Sequence, residues 1–111
     1  MPTTKGSGTQ TAVIGTEHTL NGAAFTDAGV YVLEVDVNGM ADGDILELRL
    51  KTNILSGGVV RVVYLKRYFN AQIADDKIKI SIPVPSMWSF TATLKQTAGT
   101  GRDFPWSVLT I

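Results

Sequence analysis

The stretch Ile45-Leu46-Glu47-Leu48-Arg49-Leu50-Lys51-Thr52 decides the fold class of this chain. Leucines occupy every second position, and charged residues fill the positions between them. Because successive side chains of a β-strand point to opposite faces, the leucines share one face and the charges share the other. A helix of the same composition would mix the two classes around its surface. The stretch therefore predicts a strand that is covered on one face and solvated on the other.

The same alternation recurs along the rest of the chain, with turn residues between the runs. The other predicted strands are Thr11 to Gly15, Thr16 to Leu20, Val30 to Val37, Val59 to Arg67, Ile78 to Ile82, Trp88 to Leu94 and Phe104 to Thr110. About seven or eight short strands of this kind predict an all-β protein, built as a two-layer antiparallel β-sandwich of jelly-roll or immunoglobulin-like order. Asn70 to Asp76 is the one segment in which a short helical turn fits the pattern.

The last two runs are expected to form a hairpin. Gly99 and Gly101 lie between them, and glycine accepts the positive φ angles that tight reversals require. The final run continues to the end of the sequence, so the C-terminal residues are expected to be held in the sheet.

Residues 1 to 10, MPTTKGSGTQ, are expected to form a flexible N-terminal arm, and residues 11 to 111 a single β-sandwich domain. The first ten residues are mostly Thr, Ser, Gly, Pro and Lys, which bury too little apolar area to offset the entropy of ordering them. Such an arm either frays or becomes ordered against a neighbouring subunit. Lys5 and Gln10 are therefore candidate interface residues.

Composition excludes several kinds of site and partner. The chain has no cysteine and one histidine, so it can form neither a disulfide nor a site with several thiolate or imidazole ligands. Ten basic and ten acidic residues give a net charge of zero, which does not supply the positive field that nucleic acids attract. No apolar segment approaches the roughly 20 residues of a membrane-spanning helix. We expect no nucleic-acid or membrane partner.

The polar residues form no recognised catalytic or metal-binding motif. Asn38 to Asp44 resembles a calcium loop in its oxygen content, but it lacks the terminal glutamate, and Asp-Gly pairs are typical of β-turns. His18 has Glu17 beside it but no nucleophile elbow. Asp75 and Asp76 are adjacent, so on a strand they would face opposite ways. We predict no catalytic, metal-binding or cofactor-binding residue, and no enzyme activity.

The aromatic residues leave two functional alternatives open. Trp88 and Trp106 are in phase with aliphatic neighbours, which predicts core positions, whereas exposed rings would form a platform for stacking on sugars. Aromatic and basic residues that occur together at a strand end are typical of interface anchors. The predicted interface residues are Lys66, Arg67, Tyr68 and Phe69, together with Lys5 and Gln10.

Three segments carry a family resemblance: Tyr31 to Asp44 (YVLEVDVNGMADGD), Pro83-Val84-Pro85, and Leu94 to Arg102 (LKQTAGTGR). In these segments the chain resembles small virion-associated proteins of tailed bacteriophages, of the head-decoration or capsid-cement type. The likeness covers residues 29 to 111.

The resemblance implies a non-enzymatic structural protein that decorates and stabilises a capsid. It would bind across neighbouring subunits of the major capsid protein on the outer capsid surface of the virion, after synthesis in the host cytoplasm. It would associate with sister subunits as a trimer or dimer and need no cofactor. The sequence leaves two alternatives open: a carbohydrate-binding or receptor-binding β-sandwich module, and a tail or baseplate component of the virion.

Overall fold

The structure is a computed structural model that describes residues 2–111. These residues form nine strands and no helix. The strands are β1 (Thr3–Thr11), β2 (Glu17–Thr19), β3 (Gly29–Asp36), β4 (Ile45–Thr52), β5 (Arg61–Phe69), β6 (Ile78–Ile80), β7 (Val84–Ser86), β8 (Phe90–Ala98) and β9 (Asp103–Thr110). No helix long and apolar enough to cross a membrane occurs in the described part of the chain. The predicted all-β class is confirmed.

The strands form two antiparallel sheets whose inner faces enclose one core. The first sheet has the order β1-β9-β3-β6, and the short strand β7 also pairs with β3. The second sheet has the order β2-β8-β4-β5. The ring of Tyr31 on β3 stacks on that of Phe90 on β8, with 4.6 Å between the centroids, so the two sheets are in direct contact.

The core residues come from the apolar positions of both sheets. Leu46, Leu48 and Leu50 of β4 are buried, which confirms the inward face that their alternation predicts. The other large buried side chains of the central strands are Leu33, Val35, Leu94, Phe104 and Val108. Two layers of interdigitating apolar side chains are what an aligned sandwich requires.

The expected hairpin between the last two strands is wrong, because β8 and β9 lie in different sheets. The connection crosses from one sheet to the other beside the loop after β1. A Cβ atom added at Gly101 would lie 2.4 Å from the carbonyl oxygen of Ala12, so only glycine fits this approach. Gly99 has a φ of 90°. The two glycines therefore permit a crowded crossing between the sheets. Such a crossing requires glycine just as a tight turn does, so the sequence signal is the same for both.

The expected free arm is also wrong for residues 3 to 10, which form most of β1. This strand pairs antiparallel with β9 along its whole length. Gly6 and Gly8 face the indole of Trp106. A Cβ atom added at Gly6 would lie 3.6 Å from that ring, and one added at Gly8 would lie 3.4 Å from it. Main-chain hydrogen bonds and this flat contact hold a strand that has almost no apolar side chains. Met1, the first residue of the expected arm, lies outside the described residues.

The remaining strand predictions differ from the structure mainly in their ends. The bounds of β4 are those predicted, β3 begins and ends one residue earlier than Val30 to Val37, and β5 lies two residues later than Val59 to Arg67. Thr11 to Gly15 is not a strand, because β1 ends at its first residue and a turn follows. Asn70 to Asp76 contains no helical turn and forms an irregular loop.

Candidate functional site

The turn from Asn38 to Asp44, whose sequence resembles a calcium loop, is held by hydrogen bonds from within the chain. Asp44 Oδ2 accepts from Ala41 N at 2.9 Å and from Arg102 Nε at 2.8 Å, and Asp44 Oδ1 accepts from Thr100 N at 3.2 Å. The Asp44 residue is 1% exposed. Within residues 2–111 no group of three or more His, Asp or Glu residues could hold a metal ion. The carboxylate joins two loops to the start of β4.

The ionisation of Asp44 reflects this bonding. Burial alone would raise the pKa of its carboxyl, but the hydrogen bonds from Ala41, Arg102 and Thr100 outweigh burial, so its pKa is below the ordinary value. Asp44 is therefore a charged internal anchor.

His18 and Glu17 of β2 have separate structural partners. His18 Nε2 accepts a hydrogen bond from Val13 N at 3.1 Å, which fixes the turn after β1. Glu17 lies on the outer face, where it accepts a hydrogen bond from Thr93 Oγ1 at 2.6 Å and pairs with Lys51 Nζ at 2.9 Å. The Thr93 hydrogen bond and then the Lys51 ammonium lower the pKa of the Glu17 carboxyl. The histidine and the carboxylate do not converge on a common site.

The outer face of the second sheet is covered by a network of opposite charges. Glu47 on β4 accepts from Arg67 Nε at 2.7 Å and pairs with Arg49 at 3.0 Å. The Arg67 hydrogen bond, against the opposing effect of burial, holds the pKa of the Glu47 carboxyl below its ordinary value. These side chains neutralise each other across neighbouring strands. This face is therefore a solvated wall of the sandwich.

The predicted interface residues Lys66 to Phe69 lie at the end of β5, but they do not form one cluster. Arg67 is engaged by Glu47 on the outer face, whereas Tyr68 turns inward and is half-buried. Lys79 Nζ lies 5.1 Å from the centroid of the Tyr68 ring. Burial raises the pKa of Tyr68 to about 12. Only Lys66 and Phe69 are left exposed and without one of these partners.

The other two predicted interface residues lie on a different strand. Lys5 of β1 forms an ion pair with Asp27, and Gln10 Nε2 donates to the carbonyl oxygen of Thr11 at 3.0 Å. β1 is the edge of the first sheet farthest from β6, and β6 is the strand that meets β5 across the open side of the sandwich. The six predicted residues therefore lie on opposite edges of the sandwich.

The most exposed apolar surface lies along β5 and the loop before it, and we call it the apolar edge. It consists of Ile54, Leu55, Val59, Val60, Val62, Val63 and Leu65. Ile54 is 79% exposed, Leu55 70% and Val59 69%. Five of these seven residues line an open groove of about 380 Å³. Patches of this kind on soluble proteins mark interaction sites.

Sequence reasoning missed the apolar edge, although the sequence carries a signal for it. Val59, Val60, Val62 and Val63 occupy both odd and even positions, so they cannot all lie on one face of a strand. A strand that is apolar on both faces is buried in the middle of a sheet or exposed at an edge. β5 lies at an edge, where Val62 is 47% and Val63 40% exposed.

A second apolar strip adjoins the edge through β6 and the segment after it. Ile78, Ile80 and Ile82 point outward, whereas Lys79 and Ser81 are buried. Lys79 Nζ bonds to Asp76 at 2.7 Å, and Ser81 Oγ accepts from Leu33 N at 2.9 Å. Because these inward polar groups have partners within the chain, the alternation is inverted here and the isoleucines face solvent.

The two tryptophans have different positions. Trp106 packs against the core beneath β1, as predicted. Trp88 is 40% exposed, and its Nε1 donates to the carbonyl oxygen of Ile54 at 3.3 Å, so the predicted core position is wrong. Trp88 precedes β8, where the strand has not yet begun to alternate between the faces. The ring instead extends the apolar edge at the Ile54 end.

No protein-family model, curated protein or solved structure matches this chain.

Proposed function

We propose that this chain is a non-enzymatic structural protein that binds other protein subunits through its apolar edge. The observation that carries this proposal is the exposure of Ile54, Leu55 and Val59, each about 70% or more, beside an edge strand. Removal of apolar area from water contributes about 25 cal/mol per Å². Covering a surface of this composition with a second protein is therefore favourable.

The chemistry around the groove favours a protein partner over a small substrate. Substrate pockets need a few convergent polar groups that are free to orient a ligand. Two polar side chains at or beside this groove are already used, because Thr52 Oγ1 donates to Ser89 O at 2.6 Å and Asn53 Oδ1 accepts from Ser89 Oγ at 2.9 Å. The exposed side chain of Arg61 also lines the groove, and the rest of the lining is mostly aliphatic. Arginine beside apolar residues is typical of protein interfaces.

The partner we propose is the major capsid protein of a tailed bacteriophage, with the chain attached across neighbouring subunits on the outer capsid surface of the virion. The segments Tyr31 to Asp44, Pro83 to Pro85 and Leu94 to Arg102 support this choice by their resemblance to head-decoration proteins. A standard interface of about 1,600 Å² is sufficient for stable binding. Repetition around a capsid symmetry axis would raise the effective concentration of each contact.

The test is cosedimentation of the purified chain with capsids assembled from the major capsid protein. We expect saturable binding, which Leu55→Asp or Val59→Asp weakens by tenfold or more because a carboxylate enters the apolar contact. The matched control is Val13→Asp, which places the same charge at a 58% exposed position far from β5. Absence of wild-type binding, or equal binding by all variants, would refute the capsid proposal.

The exposed ring of Trp88 supports a second candidate, a carbohydrate-binding or receptor-binding module. Aromatic faces pack on the apolar faces of sugar rings, and Trp88 is 40% exposed. Glycan-array binding that disappears in a folded Trp88→Ala protein, together with no capsid binding, would favour this candidate. Electron microscopy of labelled virions separates a head protein from a tail or baseplate component.

A further inference from the structure

We propose that two copies of this chain pair antiparallel through β5, with Leu65 of one copy opposite Leu65 of the other. The pairing would join the two four-stranded sheets into one continuous sheet. It deepens the proposed function, since it names a second copy as the occupant of the β5 part of the apolar edge and leaves the Ile54 end for another protein.

The first argument is the state of the edge itself. β5 is the terminal strand in the order β2-β8-β4-β5, so one side of its main chain has no strand beside it within the described residues. It is nine residues long, contains no proline, and exposes Val62, Val63 and Leu65. Long apolar edges pair readily with another strand, and proteins normally shorten, charge, bulge or cover them. The basic residues and the bulge of β5 therefore restrict the registers in which a second copy can pair. Coverage by a second β5 removes this liability.

The second argument is geometric. A two-fold axis normal to the sheet keeps each face of the sheet on its own side, and directly opposed residues of antiparallel strands share a face. Neighbouring residues of a strand lie on opposite faces, so a residue at the axis cannot lie opposite its neighbour in the second copy. The two-fold axis must therefore pass between one residue and the same residue of the second copy. Each possible register is therefore named by its central residue.

The third argument is charge, because like charges directly opposite each other destabilise a strand pair. β5 carries three basic residues, Arg61, Lys66 and Arg67. A centre at Lys66 or at Arg67 places that cation against itself. Val63 is an extra residue in the pairing with β4, so beyond it the register shifts by one. A centre at Tyr64 then brings Lys66 opposite Arg61.

The register centred on Leu65 avoids every such conflict. Lys66 lies opposite Tyr64 of the second copy, and Arg67 lies opposite the Val62–Val63 bulge. With the shift at Val63, Arg61 lies opposite Tyr68. Two of these pairs place a cation beside an aromatic ring, which is an attractive arrangement. Among the central positions from Tyr64 to Arg67, only Leu65 gives a pairing with no basic residue against another.

Sedimentation equilibrium on the full chain tests the pairing. We expect a mass twice that of the chain, and at least a tenfold weaker dimer for Leu65→Lys, which places a cation against its own copy. Ile80→Lys is the matched control, since Ile80 is 59% exposed on β6 and lies outside the pair. Circular dichroism checks that both variants fold. A monomeric wild type, or a dimer that Leu65→Lys leaves unchanged, would overturn the proposal.

Cysteine cross-linking tests the register separately, because the chain has no cysteine of its own. Opposed residues have Cα atoms roughly 4.5 to 5.5 Å apart, within the range of a disulfide. Leu65→Cys should therefore oxidise to a covalent dimer. In this register Lys66 is two residues away from its own copy along the strand, roughly 8 Å between Cα atoms, so Lys66→Cys alone should cross-link poorly. Faster cross-linking by Lys66→Cys would refute the Leu65 centre.

The two proposals fail in different measurements. A stable β5 dimer that does not bind capsids would remove the capsid partner and leave the pairing intact. A monomeric wild type that still cosediments with capsids, in a way sensitive to Leu55→Asp, would remove the pairing and leave the capsid partner intact.

Discussion

The anchoring role of Asp44 makes a quantitative prediction. In Asp44→Asn the Oδ1 atom can still accept from Thr100, but an NH₂ group replaces the oxygen that accepts from Ala41 N and Arg102 Nε. The donors Ala41 N and Arg102 Nε then face the new NH₂ group, which is also a donor. Hydrogen bonds to charged groups contribute about 1.5 to 3 kcal/mol each, and the loss of one partner of a buried ion pair costs about 3 to 5 kcal/mol.

The expected loss of unfolding free energy lies near the lower end of these ranges. The Arg102 side chain is 31% exposed, so water takes over part of its solvation when the carboxylate is gone. We expect Asp44→Asn to lower the free energy of unfolding by about 3 kcal/mol at pH 7. For a domain of this size the midpoint of thermal unfolding should fall by roughly 10 to 20 °C.

Urea unfolding followed by tryptophan fluorescence measures this loss, and its pH dependence identifies the cause. Because the folded-state pKa of Asp44 lies below its ordinary value of 3.8, the stabilisation is present above about pH 4 and is lost as the pH falls through the lowered pKa. The difference between the wild type and Asp44→Asn should therefore shrink at pH 2.5. Asp75→Asn, in an exposed loop, is the control and should change stability by less than about 0.5 kcal/mol. A loss below 0.5 kcal/mol at pH 7, or one equally large at pH 2.5, would refute the anchor.

The remaining predictions concern the crossing loop and the core. A Cβ atom at Gly99 would lie 1.9 Å from Asp44 Oδ1 at a φ of 90°, so Gly99→Ala should cost more than about 2 kcal/mol. Gly22→Ala, with a φ of 63° and open space around it, should cost about 1 kcal/mol. Phe90→Ala removes a fully buried ring and should cost about 3 to 5 kcal/mol, against less than about 0.5 kcal/mol for the exposed Ile80→Ala. Urea midpoints measure all four, and equal losses within either pair would contradict the assignment.

The alternation of apolar and polar residues predicted which segments are strands more reliably than it predicted which strands pair with each other. β4 has its predicted bounds because its leucines and charges alternate without exception. The pairing of β9 with β1 and β3, instead of with β8, depends on contacts between residues far apart in the chain. The alternation of Phe104, Trp106 and Val108 is the same in either arrangement. Period alone therefore could not fix the topology.

The apolar edge was not predicted, for a related reason. The end of β5 was correctly identified as a strand end with aromatic and basic residues, but Tyr68 and Arg67 turned out to have partners inside the chain. In β6 the lysine faces inward and the isoleucines face outward, because Lys79 contacts both Asp76 and the ring of Tyr68. The pattern of residues along the sequence does not contain these contacts. Exposure of the β5 valines follows from the position of β5 at the edge, and topology decides that position.

The central place of β9 in the first sheet determines the order in which the fold can form. This strand is synthesised after the other eight, yet it lies between β1 and β3 and pairs with both. Until it emerges from the ribosome, β1 has no partner strand among the described residues, and β3 can pair there only with the short strands β6 and β7. Such distant pairings slow folding and expose unpaired strands meanwhile. The first sheet therefore stays incomplete in the nascent chain until β9 is synthesised.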